Sequence, residues 1–374
     1  MRSSFVIARI AGIDIKVHAS FVLILMLGAV QWGVPFGARG ALFGALLMVV
    51  LFMCVVLHEL SHSLVARAFG LPVHEILLLP IGGVSRMERN AEKPVTELLI
   101  SAAGPLVNFA LAWLLLLATG SRLGPLTGEQ LVKGPGAPSL ETALVWLLGA
   151  NVVLGVFNLI PAFPLDGGRI FRAILWMFTS FARATQIASA VGQAFAVALG
   201  LFGVLAGNFL LAFVALFIFL GAGQERTEEQ ARVVLGTLKV GDAYNKYAIT
   251  LAPGDHVSRV VDYILTSYQP DFAVIQGTTL LGVVTRADVL KALATGEADV
   301  YVAGIMKRDV LRVDASLDLD EVRRRLVEKG ERIAAVYRGE TYLGLVSQED
   351  IAEALLVVAF RRSQEARRTA AGTR

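Results

Sequence analysis

This 374-residue sequence has little cysteine and few charged residues before residue 225. Its positive and negative charges nearly balance. Cys54 is the single cysteine, which excludes an intramolecular disulfide framework, and we expect it to be an inert buried thiol. The formal net charge is only +3 and the basic residues are spread out, so nucleic-acid binding has little support. The first apolar run, 17–38, has no clear small-x-small cleavage site, so we expect a retained helix rather than a signal peptide.

Charge is divided unevenly between two parts of the chain. Residues 1–224 carry 22 of the 65 charged residues, and residues 225–374 carry the other 43. The mean hydropathy of +0.64 is too high for a soluble protein, which indicates that the first part lies in a lipid bilayer. The second part, of roughly 150 residues, is long enough to fold around its own core. The sequence therefore predicts an integral membrane domain followed by a soluble domain.

Apolar stretches in the first part predict a multi-span α-helical membrane domain with six transmembrane helices. We expect these helices near 17–34, 41–70, 94–119 and 143–165, with two more in the charge-free run 184–224. Residues 1–16 alternate apolar and polar side chains, which favours a short strand or hairpin on the membrane surface. Residues 71–93 are too short and too broken to span, and their glycine pair suits a hairpin or a re-entrant loop.

The distribution of lysine and arginine predicts the orientation of the six spans. With a cytoplasmic N-terminus, segments 1–16, 67–93 and 169–183 lie on the cytoplasmic side and hold ten basic residues. The opposite loops hold three, so both termini and the soluble domain are expected in the cytoplasm of a cell-membrane protein.

A cluster of ionisable residues follows the second apolar run. The seventeen residues 41–57 carry no charge and lead directly into His58, Glu59 and His62. Ionisable groups in such a helix are costly, by roughly 2.5–3.5 kcal/mol for a central Asp, Lys or Arg on insertion scales. Positions i and i+4 share one face of a helix, so the two histidines can bind one metal ion. The carboxylate of Glu59 lies beside them, where it can take a proton from a metal-activated water.

A third ligand is needed, because catalytic zinc sites usually have three protein ligands and leave a fourth position for water. Asp166 is the best candidate, since it follows a helix broken by Pro161 and Pro164 and precedes a glycine pair. The predicted topology places Asp166 at the same depth as the two histidines. Non-helical backbone at membrane depth is tolerated where protein buries it or where it lines a water-filled cavity.

The soluble part contains an internal repeat. Residues 281–290 match residues 343–352 at an offset of 62, and each copy follows a strand-like run and a polar turn and ends in a short helix. Such duplicated β-β-α units pack as a pair because one copy alone cannot cover its apolar face. The tail after residue 360 is basic and polar, and its composition predicts disorder.

These motifs together resemble a known family. The pentapeptide His58-Glu59-Leu60-Ser61-His62, with the segment 158–169, is similar to the paired motif of the site-2 proteases, which are intramembrane zinc metalloproteases. The repeat resembles a tandem cystathionine-β-synthase-type (CBS) pair, an α+β domain. The resemblance implies one catalytic Zn²⁺ held by His58, His62 and Asp166, with Glu59 activating water. It also implies cleavage in or near transmembrane segments of membrane-tethered regulators.

Substrate contacts are predicted at four residues. A helical substrate hides its carbonyl groups in i to i−4 hydrogen bonds, so it must unwind before cleavage. The Gly82-Gly83 region could offer an edge strand to hold the unwound chain, or it could be a plain connecting loop. Asn108 and Asn158 are candidates for hydrogen bonds to the substrate or for helix packing. His18 is expected to be an interfacial histidine, and a role near the metal remains open.

The CBS-like pair is expected to tune activity rather than to catalyse. Two Ser/Thr-x-x-Asp motifs match the family's ribose- and phosphate-contacting positions, namely Thr285 with Asp288 and Ser347 with Asp350. The same pattern also caps a following helix, so binding of an adenine nucleotide and simple capping are both open. A homodimer through the CBS pair is a further expectation. The expected boundaries are 1–224 for the protease, 225–238 for a linker, 239–296 and 297–359 for the repeats, and 360–374 for the tail.

A second function is compatible with the same residues. His58, Glu59, His62 and Asp166 could form the ion path of a metal or proton transporter gated by the nucleotide-sensing pair. Such a path needs polar groups through the whole bilayer, and the first, fifth and sixth predicted helices have almost none. The sequence therefore favours the protease.

Overall fold

The highly apolar part and the charged part of the chain fold as separate units. The structure is a computed structural model and describes residues 4–80, 82–87, 91–120, 136–267, 269–294 and 299–372. The backbone divides into one unit over Met1–Thr227 and a second over Glu228–Arg374.

Long apolar helices dominate the first unit. Within the described residues, five helices are long and apolar enough to cross a membrane. These are α1 (Phe21–Ala68), α2 (Pro94–Thr119), α3 (Leu140–Asn158), α5 (Phe181–Leu205) and α6 (Phe209–Leu235). The shorter helix α4 (Asp166–Trp176) lies between α3 and α5 in the chain.

Helix α1 is a hairpin of two arms rather than one straight rod. Gly37 has φ 63° and ψ −153°, which interrupts the helix two residues after Pro35. The arms touch through glycines, because a Cβ on Gly28 would lie 2.6 Å from the carbonyl oxygen of Gly44. Small residues allow such close backbone contact between membrane helices. The six predicted spans thus correspond to five helices, the first of which is folded back on itself.

A four-stranded sheet accompanies the helices of the first unit. It contains β1 (Ser4–Ile10), β2 (Ile13–His18), β3 (Val73–Leu79) and β4 (Gly82–Met87), in that spatial order. The outer pairs are antiparallel, and β2 pairs parallel to β3. Within the described residues, the segments 1–16 and 71–93 form the predicted hairpins, β1–β2 and β3–β4. Buried isoleucines at 13, 15 and 76 pack this sheet against α1, which positions β4 near the end of that helix.

The second unit has the predicted duplicated α+β architecture. One sheet contains β5 (Thr250–Leu251), β6 (Asp271–Gln276) and β7 (Thr279–Thr285), and the other contains β8 (Leu311–Asp314), β9 (Ile333–Arg338) and β10 (Thr341–Ser347). In each sheet the first strand is parallel to the second and the second is antiparallel to the third. Residues from both sheets share one apolar cluster, as expected for copies that bury their faces together.

The helices of this unit are α7 (Val240–Ala243), α8 (Val257–Thr266), α9 (Arg286–Ala294), α10 (Val302–Ile305), α11 (Leu319–Lys329) and α12 (Gln348–Gly372). Two expectations differ from the structure. Helix α6 continues to Leu235 through most of the expected linker, and Leu235 is buried in the core of the second unit. Helix α12 continues to Gly372 through most of the expected disordered tail, whose alanine, arginine and glutamate residues are strong helix formers.

Asp271 is a buried carboxylate at the start of β6. Its side-chain Oδ2 has no hydrogen-bond partner among the described residues, and the residue is 8% exposed. Loss of solvent raises the pKa of Asp271 to about 6, although the nearby Arg332 opposes the shift. The carboxylates of Glu349 and Asp350 add to the increase.

We expect the second unit to lose stability as pH rises from about 4 to about 6, because the raised pKa of Asp271 favours the protonated folded state. The Asp271→Asn variant removes this loss. At pH 7.5 local opening of β6 should cost roughly 1 kcal/mol more in the variant than in the wild type, after allowance for partial solvation.

Hydrogen–deuterium exchange of peptides covering β6 in the full chain measures this difference at each pH. At pH 4.5 the variant and the wild type should exchange at closer rates than at pH 7.5. An equal gain in protection at both pH values would contradict the prediction.

Candidate metal centre

The second arm of α1 ends in the two predicted metal-binding histidines. His58 and His62 lie one turn apart on the same helical face, and both are buried. Their Nε2 atoms are 3.1 Å apart, so both imidazoles point to the same place. The i to i+4 spacing therefore brings both imidazoles to one place, as the sequence predicts.

Asp166 reaches the same place from the other side of the unit. Helix α3 ends at Asn158, and Asp166 is the first residue of α4. The intervening turn is tight, because a Cβ on Gly167 would lie 2.4 Å from the carbonyl oxygen of Leu159. The side-chain Oδ2 of Asp166 lies 3.2 Å from Nε2 of both histidines.

The geometry of these three side chains fits a zinc ion. Their ligand atoms lie 3.1–3.2 Å apart. The expected separation is about 3.3 Å around a tetrahedral Zn²⁺ with bonds of about 2.0–2.1 Å. Among the described residues, His58, His62 and Asp166 are the group of three metal-ligating side chains that meet in this way. Three ligands would leave one coordination position for water or substrate.

A backbone carbonyl orients one of the imidazoles. The Nδ1–H of His62 donates to the carbonyl oxygen of Ile100 on α2 at 2.6 Å. This hydrogen bond fixes the ring and keeps the Nε2 lone pair directed to the centre, as is usual for metal-binding histidines. Within the described residues, Nδ1 of His58 has no such partner.

Gly104 forms one wall of the centre. A Cβ on this residue would lie 2.2 Å from Nε2 of His62 and 2.6 Å from Nε2 of His58. Helix α2 therefore approaches the ligand atoms with bare backbone, and any larger side chain would occupy their space. The sequence pattern alone did not reveal this role, because the glycine lies 42 residues from the nearer histidine.

Glu59 and the predicted substrate residues share one cavity with the ligands. The cavity has a volume of about 380 Å³, and its lining includes the ligands, Glu59, Gly82, Gly83, Asn108, Asn158, Ser101 and Arg169. Gly83 of strand β4 lies against the catalytic candidate, since a Cβ there would be 2.3 Å from Cγ of Glu59. Asn108 is 1% exposed.

Two other sequence candidates lie away from this cavity. Nδ1 of His18 is 2.6 Å from Oγ of Ser20 in the turn between β2 and α1, and His18 does not line the cavity. Cys54 is buried one turn before His58 and is not among the lining residues. The burial of Cys54 agrees with the buried thiol expected from the sequence.

The Ser/Thr-x-x-Asp motifs of the second unit form helix caps. Oγ1 of Thr285 donates to Oδ2 of Asp288 at 2.6 Å, and the backbone N–H of Asp288 donates back to Thr285. Ser347 and Asp350 form the equivalent pair at the start of α12. Each pair satisfies donors of the first helical turn, which is the capping alternative in the sequence analysis.

A second cavity, of about 160 Å³, lies beside the first of these caps. Its lining includes Thr285, Lys307, Asp309, Glu331 and Arg332, but not Asp288, Ser347 or Asp350. The structure thus brings one of the four predicted nucleotide-binding residues to this cavity. Lys307 and Arg332 bring two basic side chains to this cavity that the sequence motifs did not indicate, beside the acidic Asp309 and Glu331, and Arg332 also pairs with Glu349.

Comparisons with known proteins identify the families that the two units resemble. The sequence profile of Peptidase family M50 matches residues 46–134 and 124–199, and the CBS domain profile matches residues 240–295 and 302–357. Zinc metalloprotease MJ0392 of Methanocaldococcus jannaschii is 32% identical over 96% of this chain and 98% of its own length. Rip3 of Mycobacterium tuberculosis is 29% identical over 97% of this chain and 95% of its own. A solved structure, the site-2 protease from Methanocaldococcus jannaschii, covers 60% of this chain and 95% of its own at 39% identity and a TM-score of 0.44.

We expect the Gly104→Ala variant to bind zinc at least about tenfold more weakly than the wild type, because the added methyl group displaces the two imidazoles. Alanine has a higher helix propensity than glycine, so a weaker helix cannot explain the loss. Competition with a chromophoric chelator in detergent measures the affinity.

The matched control is Gly200→Ala on α5, where the new Cβ would lie 3.3 Å from Cβ of Ala215, far less tight a contact than at Gly104. This variant should retain wild-type affinity. Wild-type zinc affinity in Gly104→Ala would contradict the conclusion that the ligand atoms need bare backbone at Gly104.

Proposed function

Since this chain is an integral membrane zinc metalloprotease of Peptidase family M50, the site-2 proteases, with a C-terminal CBS pair, we propose that it cleaves membrane-tethered regulators in or near their transmembrane segments. The observation that carries the proposal is the convergence of His58, His62 and Asp166 beside Glu59, in a cavity of a unit rich in membrane-spanning helices. Membership of the family also decides against a transporter that uses the same residues as an ion path.

The mechanism assigns a separate role to each residue of the centre. His58, His62 and Asp166 would hold the zinc, which when bound supplies a Lewis acid that polarises the scissile carbonyl and acidifies water. Glu59 takes the proton from the attacking water and delivers it to the nitrogen of the leaving amine. The Ile100 carbonyl keeps the imidazole of His62 oriented during this transfer.

An unwound substrate is held by strand β4. Among the described strands, β4 is the last in the order of the sheet, so its N–H and C=O groups on the side away from β3 have no strand partner there and can pair with a peptide. An extended peptide can add to such an edge through main-chain hydrogen bonds. Gly83 brings the edge into contact with Glu59, so a peptide on β4 would have its backbone next to the proton carrier.

Asn108 and Asn158 bind main-chain groups of the same substrate. Both line the cavity, and Oδ1 of Asn108 has no hydrogen-bond partner among the described residues. A side-chain amide carries one acceptor and two donors, which match the N–H and C=O of a peptide group. An unwound substrate would therefore satisfy an amide that is otherwise buried at a cost in free energy.

Regulation is assigned to the cytoplasmic CBS pair. We expect both termini in the cytoplasm, because the basic residues are concentrated on that side of the spans. The cavity next to Thr285 takes an adenine nucleotide, whose phosphate pairs with Lys307 and Arg332. A homodimer through the CBS pair would bury exposed leucines of its helices, such as Leu290, Leu293 and Leu356.

We expect Glu59→Gln to abolish cleavage while zinc remains bound, because glutamine keeps the size of the side chain but cannot accept the proton. The loss should be at least about 10²- to 10⁴-fold. The assay follows cleavage of a panel of single-span membrane proteins in proteoliposomes, with the zinc content of each preparation measured in parallel.

The matched control is Glu141→Gln at the exposed first turn of α3, which should cleave like the wild type. The proposal fails if Glu59→Gln cleaves the panel at the wild-type rate.

For the CBS pair, we expect Lys307→Ala to weaken binding of AMP about tenfold, equivalent to about 1.4 kcal/mol, because an ammonium–phosphate pair is lost. Isothermal titration of the full chain in detergent measures the dissociation constant. Lys291→Ala on α9 removes the same charge at an exposed site outside the cavity and should bind normally. Absence of AMP binding by the wild type would contradict the proposal that this cavity binds an adenine nucleotide.

A further inference from the structure

Arg172 is a buried arginine that the mechanism above does not use. It lies on α4, six residues after Asp166, and is 6% exposed. A buried guanidinium is costly unless its donors are paired, and removal of a partner leaves an uncompensated charge. The ion pairs and ring contacts of Arg172 lead to elements that carry the metal centre and to the long helices α5 and α6.

One side of Arg172 binds the first turn of α2. Its Nε donates to Oε1 of Glu97 at 2.9 Å, and its Nη2 donates to the same oxygen. Glu97 lies three residues before Ile100, whose carbonyl oxygen holds Nδ1 of His62. Because α2 is helical over this stretch, the ion pair fixes the height and rotation of the carbonyl that orients the imidazole.

The flat face of Arg172 packs on the turn that leads to Asp166. The guanidinium carbon lies 5.0 Å from the ring centroid of Phe163 and 4.7 Å from that of Phe181. Cation–π contacts of this kind are attractive within about 6 Å. Phe163 is fully buried and lies three residues before Asp166, so its contact with the arginine helps to fix the turn that leads to Asp166.

A third contact ties Arg172 to α6. Nη1 donates to Oε1 of Glu225, which is partly exposed near the end of the apolar part of α6. Two carboxylates and two aromatic rings thus surround one guanidinium, and they come from α2, from the turn before α4, from α5 and from α6.

We propose that Arg172 is a positioning residue for the metal centre. It locks α4, which carries Asp166, against the first turn of α2, which orients His62. The ligand atoms stay within reach of one ion because both elements are fixed to the same guanidinium. Glu225 joins α6 to the same guanidinium. A shift of α6 would therefore displace Arg172 and, with it, the ligand atoms of the metal centre. The inference rests on the proposed ligands but not on the proposed substrates.

The test compares Arg172→Lys, Glu225→Gln and the control Arg183→Lys in the full chain in detergent. Lysine keeps the charge but cannot bind two carboxylates with a planar fork. Arg183 is an exposed arginine on the first turn of α5. Two quantities are measured for each variant: the zinc dissociation constant, by chelator competition, and the visible absorption spectrum after substitution with Co²⁺, which reports ligand geometry.

Arg172→Lys should bind zinc about 10- to 100-fold more weakly than the wild type, in the range of other residues that orient metal ligands. Its cobalt spectrum should be altered. Glu225→Gln should change both quantities in the same direction by a smaller factor, because the pair with Glu97 remains. Arg183→Lys should match the wild type.

A folded Arg172→Lys chain with wild-type zinc affinity and cobalt spectrum would overturn the proposal. If Arg172→Lys does not fold, Glu97→Gln, which removes the charge of the partner on α2, decides, and wild-type zinc affinity and cobalt spectrum there would overturn the proposal. Wild-type values in Glu225→Gln would overturn the link to α6. Failure of the proposed function is a separate result: the wild type would then bind zinc but cleave no membrane protein, while the effect of Arg172→Lys on zinc affinity would persist.

Discussion

Two imidazoles and a carboxylate packed among membrane helices can stay close together only where the protein fixes each of them. Left alone, His58, His62 and Asp166 would lose solvation without gaining a defined geometry. The surrounding structure supplies that geometry in different ways: a carbonyl oxygen turns the ring of His62, Gly104 lets the helix backbone approach, and a tight turn aims Asp166. The packing of α2 against α1 and α4 is therefore best understood as a support for three ligand atoms.

The meeting of the three candidate ligands could be predicted from the sequence, whereas the groups that position them could not. His58 and His62 are visible because helical spacing connects positions four apart, and Asp166 is visible because prolines and glycines interrupt an apolar helix next to a carboxylate. The carbonyl of Ile100 belongs to the backbone, which every residue has. Arg172 finds its partners 75 and 53 residues away, and no local pattern records which acidic residue an arginine meets.

In the fold too, features with a local sequence pattern could be predicted, whereas features that depend on distant contacts could not. The repeat in the second unit was visible because two copies with the same pattern imply the same strands, and the sheets repeat strand for strand. The hairpin shape of α1 depends on contacts between Gly28 and Gly44, which come together only after the chain has turned at Gly37. The helical end of α12 differs from the prediction because the polar composition of the tail indicates disorder, although good helix formers are often polar. The charged end of α6 lies in the segment predicted as a linker.

The edge position of β4 has a consequence for sequence preference. A peptide laid along this strand would turn successive side chains to opposite faces of the enlarged sheet, with a period of two residues. Only alternate side chains of the substrate would then meet the walls of the cavity, while the others would face away. Selectivity for particular substrate side chains would be confined to every second position around the cleaved bond. Ease of local unwinding would matter at every position there. An enzyme built in this way would accept many sequences that share a weak helix rather than one strict motif.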